Sequence, residues 1–379
     1  MASPVPDIPG EKVDRTIAQG LRYEVSALLK RDKTTFPGAQ PVSFASRHLK
    51  DLQTQDFYVC EKTDGMRCLM YLTKDGTGSE ALYLIDRKND YYLVKEMHFP
   101  QPGENLESFH IDTILDGELV NEIQPDKSVK LQYLVFDCLV LDGGILMHRE
   151  YDKRLAYFRE KLFKPYKALY MKYPEELQYC PFTVHFKQME FAYAIWKMFD
   201  EVLPRLRHGS DGLIFTCRSS PYQPGTDPNI LKWKAENENS IDFRMHLEFP
   251  IVHPGNGESS YPDYTALPRV KLTANGGNDK DIQYGTMDLS STLWEQLKAK
   301  KEPLDDRIVE CYLENGKWQW MRFRDDKREA NHISTVQSVI ESIRDGVTKQ
   351  DLLGHADQIR AEWKKRELAQ KKPEPDLKK

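Results

Sequence analysis

Lys62 is the residue whose type and setting best suit covalent chemistry. It stands in Glu61-Lys-Thr-Asp-Gly-Met-Arg67, between one apolar strand and a second over Cys68–Leu72. The Asp64-Gly65 pair predicts a tight hairpin turn, which would place the lysine amine at the open end of the hairpin. A lysine is a nucleophile only when it is neutral, so burial or neighbouring cations must lower its pKa. By itself, this short motif is also typical of an exposed turn.

Two later lysines are spaced so that their side chains lie on the same face of a strand. In Leu231-Lys-Trp-Lys234, Lys232 and Lys234 are two residues apart and project from the same face, while Trp233 projects from the other. Together with Arg67, they are candidates for the cations that a lysine nucleophile or a phosphate group requires.

Carboxylates flank two apolar runs at points where strands begin or end. Asp116-Gly117-Glu118 follows Ile114-Leu115, and Asp211-Gly212 precedes Leu213-Ile-Phe215. Carboxylates at such positions can bind a divalent cation or a ribose hydroxyl. Each pair is also common in a solvated turn, so neither identifies a site alone.

Basic residues alternate with apolar ones in a strand near the end of the chain. In Trp320-Met-Arg-Phe-Arg-Asp-Asp-Lys327, Arg322 and Arg324 share one face. Paired guanidinium groups suit phosphate oxygens. The alternative is a polar strand face with surface ion pairs.

Short apolar runs predict the strands that position these residues. In the first part of the chain they are Phe57–Cys60, Cys68–Leu72, Ala81–Ile85, Gln132–Phe136, Gly212–Thr216 and Ile230–Lys234. Apolar stripes at helical spacing predict helices over residues 13–28, 155–162 and 191–202. A turn-rich segment, Phe36–Phe44, lies between the first helix and the first of these strands. The pattern predicts a mixed α+β domain of about 240 residues.

The chain changes character after Glu236-Asn-Glu-Asn-Ser240. Short strands joined by long polar loops are predicted at Asp242–Phe249, Arg269–Thr273, Arg307–Leu313 and Trp318–Phe323, with one short helix near Leu293–Lys298. Asn315-Gly316 predicts a two-residue type I′ hairpin turn. This strand-rich segment fits a small β-barrel.

Two helices follow the predicted barrel, beginning at Asn331 and Thr348. The last sixteen residues, Lys364–Lys379, hold seven Lys or Arg and two prolines, which predicts a mostly disordered tail. The predicted domains are therefore 1–240, 241–329 and, for the C-terminal helices and basic tail, 330–379.

Composition excludes several classes of protein. The 379 residues are 40% hydrophobic and 30% charged, and 54 Lys and Arg against 59 Asp and Glu give a net charge of −5. Such a chain is neither largely disordered nor collagen-like. No apolar run approaches the roughly 20 residues of a membrane span, and no secretory signal is recognised, so a soluble intracellular protein is expected. The net acidity argues against nucleic-acid binding over the whole surface, although a local basic site remains open.

The six cysteines are scattered and no two form a C-x-x-C pair. Most stand in apolar strand-like runs, for example Leu134–Val140. Buried reduced thiols are therefore expected rather than a structural zinc site.

In combination, these motifs resemble a known superfamily. The ordered series Lys62-Thr-Asp-Gly65, Asp116-Gly-Glu118, Asp211-Gly212, Lys232-Trp-Lys234 and Arg324-x-Asp326-Lys327 is similar to that of the covalent nucleotidyltransferases, which comprise messenger-RNA capping enzymes and ATP-dependent polynucleotide ligases. Phe36–Phe44 resembles the N-terminal signature of the capping guanylyltransferases. Trp318–Lys327 with Asn331-His332 resembles their closing motif more than the ligases' arginine-rich version. The resemblance covers about residues 10–345.

The resemblance implies a fold: a ligase-like nucleotidyltransferase domain with antiparallel sheets, α+β in class, and a C-terminal OB-fold β-barrel. It also implies an activity. Lys62 would attack the α-phosphorus of GTP, releasing pyrophosphate and forming a lysyl-GMP phosphoramidate. The GMP would then pass to the 5′-diphosphate end of nascent RNA to make the cap.

Roles for the other residues follow from the same resemblance. Arg67 and Glu118 are expected to bind ribose hydroxyls, and Asp211, with Glu118, a metal ion, Mg²⁺ or Mn²⁺. The remaining nucleotide-binding residues are Thr63, Lys187 at the guanine base, Lys232 and Lys234 at the α- and β-phosphates, Asp242, and Arg324 and Lys327 at the leaving pyrophosphate.

Partners are implied too. The chain resembles single-activity fungal enzymes, so a separate RNA 5′-triphosphatase is expected, together with 5′-diphosphate RNA, the phosphorylated C-terminal repeat of RNA polymerase II and a nuclear location. No membrane partner is expected. Two alternatives stay open: an ATP-dependent RNA or DNA ligase of the same superfamily, and a non-catalytic RNA-binding scaffold.

Overall fold

The chain forms two compact units in the computed structural model. One contains Met1–Trp233 and Lys349–Lys379, and the other contains Lys234–Thr348. The structure describes residues 5–103, 106–235, 239–255, 259–278 and 280–370. The first unit thus ends at Trp233 rather than at residue 240, and the last helix belongs to it rather than to a separate C-terminal region.

The larger sheet of the first unit is almost wholly antiparallel. In spatial order it contains β1 (Glu11–Lys12), β6 (Tyr91–Val94), β5 (Glu80–Ile85), β4 (Met66–Lys74), β7 (Thr113–Ile123), β8 (Val129–Leu141) and β10 (Thr183–Phe186), with β9 (Gly144–Ile145) paired to β8. Only β8 and β10 run parallel. Leu69 and Tyr71 of β4 enter one buried cluster, whereas Cys68 and Met70 enter another. Both faces of this strand are therefore covered, which explains its nearly continuous apolar sequence.

The smaller sheet carries Lys62. Its order is β11 (Glu190–Phe191), β3 (Phe57–Thr63), β12 (Ser210–Cys217), β13 (Gly225–Trp233) and β2 (Ala39–Ser43). Strands β3, β12 and β13 are antiparallel neighbours, and β2 runs parallel to β13 at the edge.

The predicted hairpin around Lys62 is wrong. Strand β3 pairs with β12 in the smaller sheet, whereas β4 pairs with β5 and β7 in the larger one. Asp64-Gly65 is the crossing from one sheet to the other. A Cβ atom on Gly65 would lie 2.3 Å from the carbonyl oxygen of Leu119 in β7, so only glycine fits this close approach.

Helices complete the first unit. They are α1 (Arg15–Leu28), α2 (His48–Thr54), α3 (Tyr151–Tyr157), α4 (Lys164–Lys172), the single turn α5 (Ile195–Lys197) and α8 (Lys349–Gln370). A π-helical stretch over Phe158–Phe163 joins α3 to α4, and the helix predicted over residues 191–202 is broken into 3₁₀, α and π turns. Asp14 caps α1 by accepting from the backbone N–H groups of Thr16 and Ile17.

The prediction of a disordered tail from Lys364 is wrong for its first seven residues, because α8 continues to Gln370. Trp363 packs against Phe191 and Tyr193, with ring centroids 5.5 and 4.9 Å apart. Arg366 pairs with Asp56 at 2.8 Å. Residues 371–379 lie outside the described residues.

The second unit is a closed five-stranded barrel. Its order is β14 (Ser240–Glu248), β17 (Arg269–Asn275), β18 (Asp281–Met287), β20 (Lys317–Phe323) and β19 (Ile308–Glu314), which returns to pair with β14. It also contains β15 (Ile251–Val252), β16 (Tyr261–Pro262), α6 (Ser291–Ala299) and α7 (Ile333–Arg344). Asn315 and Gly316 have φ values of 50° and 76°, which confirms the predicted turn between β19 and β20.

These features confirm the predicted fold class: an α+β unit with antiparallel sheets and a barrel of the OB type. All six cysteines are free, and five of them are buried. Over the described ranges, no helix has both the length and the apolar character needed to span a membrane.

Candidate active site

Lys62 lies near the end of β3, where the chain leaves the smaller sheet. Its Nζ atom donates to Oδ1 of Asp211 at 2.6 Å, and both side chains are about one-quarter exposed. Asp211 reaches this position because the pairing of β12 with β3 is interrupted between Ser210 and Leu213, a bulge that contains Gly212 at a φ of 154°. The predicted nucleophile and the predicted metal ligand are therefore in direct contact.

Arg67 and Asp116 form a buried two-pronged ion pair behind Lys62. The distances are 3.0 Å from Nε to Oδ1 and 2.6 Å from Nη2 to Oδ2, and Asp116 is fully buried. Arg67 also donates to the carbonyl oxygen of Ala39 and lies over the ring of Phe136. Burial opposes the charge on Arg67, but Asp116 and Tyr222 outweigh burial and raise the pKa of the guanidinium.

Glu118 stands opposite Arg67 in the pairing of β7 with β4. Burial raises the pKa of its carboxyl, although Lys187, Lys62 and Arg67 act in the other direction. Asp116 and Glu118, two residues apart in β7, both line the same cavity.

Lys187 follows β10 and is buried, with 4% of its side chain exposed. Its ammonium group donates to the hydroxyl of Thr63 and lies 3.6 Å from a carboxylate oxygen of Glu61. Burial disfavours the charge, but Glu61 and Cys60 outweigh burial and raise the pKa of Lys187. The structure therefore brings together Lys187 and Thr63, which sequence reasoning had assigned to the nucleotide separately.

One cavity in the first unit gathers these side chains. Its polar lining is Lys62, Thr63, Arg67, Arg87, Asp116, Glu118, Asp137, Tyr151, Lys187, Thr216 and Tyr222, and its apolar lining includes Phe136, Met189, Ile214 and Ile230. Cations, carboxylates and an aromatic ring converge on one concave space, as expected of a site for a charged ligand with a planar ring.

Lys232 and Lys234 occupy different units. Lys232 lies in β13, in register with Ile214 of the cavity wall and with Ser43 of β2. Trp233 points into the protein against Phe199, as the alternation predicted. Lys234 is the first residue of the second unit.

Asp242, Arg324 and Lys327 form a cluster within the second unit. Arg324 Nη1 lies 3.1 Å from Asp242 Oδ1, and Lys327 pairs with the same carboxylate. Arg324 also holds Asp326 through two hydrogen bonds, of 2.9 and 2.7 Å. The hydrogen bonds that Arg324 donates to Asp326 raise the pKa of Arg324 against the effect of burial, and Arg324 lowers the pKa of Asp326 to about 2.

Sequence reasoning missed two groups that support the cavity. Tyr222 donates to Asp116 Oδ2 at 2.6 Å and accepts from the N–H of Ala39 at 2.9 Å. Asp137 and Arg154 form a second buried ion pair, at 2.7 Å. A signal for that pair was present, because Asp137 interrupts an apolar strand, and a charge in such a place needs a partner.

The metal ligands proposed from the sequence fit a cation that is held partly by substrate. Among the described residues no group of three or more His, Cys, Asp or Glu side chains could hold a metal ion by itself. Mg²⁺ typically takes one or two protein carboxylates, and waters and substrate phosphates supply the rest. Asp211 and Glu118 offer that number of carboxylates.

The first unit is α+β and has a lysine at the wall of a cation-rich cavity, and the same chain forms a closed barrel. This combination is expected of a covalent nucleotidyltransferase. The chain belongs to the mRNA capping enzyme family. The family's "mRNA capping enzyme, catalytic domain" matches residues 5–236, and its "mRNA capping enzyme, C-terminal domain" matches residues 238–353.

Fungal relatives extend this match to nearly the whole chain. The mRNA-capping enzyme subunit alpha of Neurospora crassa is 48% identical over 391 residues, which cover 98% of this chain and 96% of that protein. The proteins of the same name from Schizosaccharomyces pombe and Saccharomyces cerevisiae are 44% and 38% identical, covering 93% and 95% of this chain and 88% and 87% of their own lengths. The predicted family is confirmed, and the ligase alternative is not favoured.

Among solved structures, mycobacterial DNA ligase D complexed with ATP and MES aligns with 77% of this chain and 95% of its own. The sequence identity is 17% and the TM-score is 0.36.

Proposed function

We propose that this protein is an mRNA guanylyltransferase that works through a covalent lysyl-GMP intermediate. The observation that carries the proposal is Lys62, whose side chain lines the cavity and whose Nζ atom is held at 2.6 Å by Asp211. Membership of the capping enzyme family supplies the substrate class, GTP and RNA. The hydrogen bond to Asp211 keeps the amine in one orientation, which favours attack in line with a leaving group.

The chemistry takes two balanced steps. In the first, Lys62 Nζ loses a proton and attacks the α-phosphorus of GTP, an N–P bond forms, the bond to the bridging oxygen breaks, and pyrophosphate leaves. In the second, a terminal phosphate oxygen of 5′-diphosphate RNA attacks the same phosphorus. The N–P bond breaks, the lysine regains its proton, and a 5′–5′ triphosphate bridge remains.

The surrounding residues position the nucleotide. We assign Arg67 and Glu118 to the ribose hydroxyls and Lys187, held by Thr63, to the guanine base. Phe136 offers an apolar ring in the same cavity. Because Arg67 and Lys187 are each buried beside a carboxylate, they are fixed before substrate arrives, and preorganised charges stabilise a transition state without reorganisation. We assign Lys232 and Lys234 to the phosphates.

The barrel residues Arg324 and Lys327 are assigned to the leaving pyrophosphate. Both are paired with Asp242, so binding a phosphate means exchanging one anionic partner for another. Asp242 thereby keeps the two cations in place when no phosphate is bound.

Asp211 and Glu118 would hold a divalent cation, Mg²⁺ or Mn²⁺. When bound, such an ion neutralises charge that develops on the phosphate oxygens. Over the part of the chain that the structure describes, the protein itself supplies no cluster of three or more acidic, histidine or cysteine ligands to such an ion.

Partners and location follow from the proposed reaction. The fungal relatives carry the name "subunit alpha", which supports a second subunit, and an RNA 5′-triphosphatase would supply the diphosphate end. Because nascent transcripts are made in the nucleus, we propose a nuclear location and recruitment to the phosphorylated C-terminal repeat of RNA polymerase II. No membrane partner is proposed.

The test is covalent labelling. The protein is incubated with α-labelled GTP or ATP and Mg²⁺ and then denatured, alongside Lys62→Ala and the exposed-lysine control Lys74→Ala. A GTP-derived band that pyrophosphate removes, present in the wild type and Lys74→Ala but absent in Lys62→Ala, is expected. A band from ATP alone would indicate a ligase, and a folded protein with no band would indicate a binding scaffold.

A further inference from the structure

A second concave surface borders the nucleotide cavity. It is lined by Arg22, Phe36, Gly38, Gln40, Arg87 and Lys88 together with neighbouring threonine and amide side chains. We call this surface the basic groove. All of its residues belong to the first unit.

Strand β2 is the wall between the cavity and the basic groove. Ala39 and Pro41 line the cavity, whereas Gly38 and Gln40 line the groove. Successive residues of a strand point to opposite faces, so the two spaces lie on either side of this one edge strand. Arg87 lines both and therefore marks the rim where they meet. The Phe36–Phe44 segment, which contains β2, therefore lies between the two spaces. The proposed chemistry assigns no role to this segment.

The charges of the groove have one sign. Arg22, Arg87 and Lys88 contribute three cations, and no Asp or Glu lines the groove within the described ranges. The nearest carboxylate to Arg22 is Asp90, at 3.9 Å, and that carboxylate is also held by Lys12 at 2.6 Å. Arg87 and Lys88 are exposed, and neither forms an ion pair with another described residue, while Glu118 and Asp116 attract Arg87 from the cavity side. Concentrated positive charge of this kind attracts a polyanion.

The walls of the groove are held in place by hydrogen bonds. Asp86 accepts from the backbone N–H of Asp90 at 2.8 Å and closes the turn that presents Arg87 and Lys88. Asn89 in this turn has a φ of 63°, and its amide donates to the carbonyl oxygen of Thr34 at 2.7 Å. Arg22 donates to the carbonyl oxygen of Asn89 at 2.8 Å. The turn is thus tied both to α1 and to the segment that precedes β2.

From these observations we infer that the basic groove binds the acceptor RNA behind its 5′ end. The inference rests on the proposed function and names where that site takes its second substrate. The terminal phosphate must reach the phosphorus on Lys62, so the following nucleotides must leave the cavity across its rim. The groove begins at that rim with cations, and it is lined by the half-buried ring of Phe36, which packs against the apolar cluster on its other side. It thus combines the two features used to bind single strands: charge along the backbone and an aromatic group for a base.

Lys88→Glu is the test variant, because Lys88 is exposed and has no part in the proposed nucleotide site. Lys74→Glu is the matched control: it is an exposed lysine at the end of β4 that makes the same charge change outside the groove. Lysyl-GMP is first formed with GTP and isolated, and a short 5′-diphosphate RNA is then added over a series of RNA and salt concentrations.

The expected result separates the two steps. Lysyl-GMP forms equally in the wild type and both variants, but the RNA concentration for half-maximal transfer rises about tenfold in Lys88→Glu only. For this variant, the slope of the logarithm of RNA affinity against the logarithm of salt concentration becomes shallower by about 0.7 for each RNA phosphate that it no longer neutralises. A second variant, Phe36→Leu, keeps apolar bulk but removes the stacking face, and it also weakens RNA binding without changing adduct formation.

Three results would overturn the inference while leaving the proposed function intact. The first is unchanged RNA transfer in Lys88→Glu, which would show that the basic groove does not bind the acceptor RNA. Slower adduct formation or pyrophosphorolysis in that variant would assign the groove to the phosphates of GTP. Unchanged RNA transfer with weaker binding of a serine-phosphorylated peptide would assign it to a phosphopeptide. Failure of the wild type to form any adduct would contradict the proposed function itself.

Discussion

Two clusters of paired charges, one in each unit, differ in burial. In the first unit, the side chains of Lys187 and Glu61 are 4% and 6% exposed. In the barrel, Lys327 is 35% exposed and Arg324 18%, around the buried carboxylate of Asp242. A buried charge that loses its partner is strongly destabilising, whereas an accessible pair is worth little to folding. The first cluster is thus enclosed in the scaffold, whereas the two cations of the second are accessible to another anion.

Lys187→Met tests the buried side of this comparison and has the largest expected effect. Removing the ammonium leaves the buried Glu61 carboxylate with the His208 imidazole, at 3.6 Å, but without its lysine, so the free energy of unfolding should fall by about 3–5 kcal/mol. Urea denaturation measures it. The matched control is Lys197→Met, which breaks a more exposed pair with Glu190, 2.5 Å long, and should cost under about 1 kcal/mol. Adding Glu61→Gln to Lys187→Met should restore much of the loss, and equal losses in the two single variants would contradict the comparison.

Arg324→Ala tests the exchangeable side. If this guanidinium orients the leaving pyrophosphate, the rate of lysyl-GMP formation should fall about hundredfold, equivalent to about 2.7 kcal/mol. The control is Arg322→Ala, two residues earlier in β20, whose side chain is 64% exposed and pairs with Glu310. Quench-flow labelling with GTP measures both rates. Equal losses of rate in the two variants would mean that the barrel acts through its total positive charge and not through Arg324 in particular.

Tyr222→Phe sharpens the account of the buried region by removing one hydroxyl. Asp116 loses a donor and the N–H of Ala39 an acceptor, so the free energy of unfolding should fall by about 1.5–3 kcal/mol. Tyr23→Phe, in an exposed tyrosine of α1, should change it by less than about 0.5 kcal/mol. An unchanged free energy of unfolding in Tyr222→Phe would show that Arg67 alone holds Asp116.

The smallest effect concerns Asp326 in the barrel. Arg324 lowers the pKa of this carboxyl from 3.8 to about 2. A lowered pKa stabilises the folded state above the ordinary value, and this contribution is lost as the pH falls through about 2. Because Asp326 is 64% exposed, solvent screens the gain. An NMR titration should give a midpoint near 2 that moves toward 3.8 in Arg324→Ala, and an unmoved midpoint would place the cause elsewhere.

Much of the scaffold could be predicted from local pattern. Strands β3, β4, β5, β12, β13 and the barrel strands β14, β17, β19 and β20 all lie where apolar runs placed them. The Asn315-Gly316 turn followed from backbone chemistry alone. These features depend on residues close together in sequence, which is why the pattern contains them.

Pairing between distant strands could not be predicted in this way. An apolar run, Asp64-Gly65 and a second apolar run look the same whether the strands form a hairpin or belong to two sheets. The two arrangements differ in the partners of the strands, since β3 pairs with β12 whereas β4 pairs with β5 and β7. These partners lie far from the Asp64-Gly65 segment in the chain, as do the partners in the contacts of Tyr222 with Asp116 and of Lys187 with Thr63.

The helix predicted from Thr348 is present as α8, but its last turns, from Lys364 to Gln370, were missed for a different reason. Its sequence is rich in Lys, Arg and Glu, and such a composition is typical of a solvated segment. The structure holds it through a few specific contacts, notably Trp363 on Tyr193 and Arg366 on Asp56. Tertiary packing of this kind overrides local composition.

The central claim is that Lys62 is the nucleophile and GTP its substrate. Mass spectrometry of peptides from GTP-treated protein tests both parts at once, with ATP-treated protein as the comparison. We expect one modified peptide, spanning Lys62 and carrying GMP through an acid-labile phosphoramidate, in the GTP sample only. A modification on another lysine, or an AMP adduct in the ATP sample alone, would contradict it.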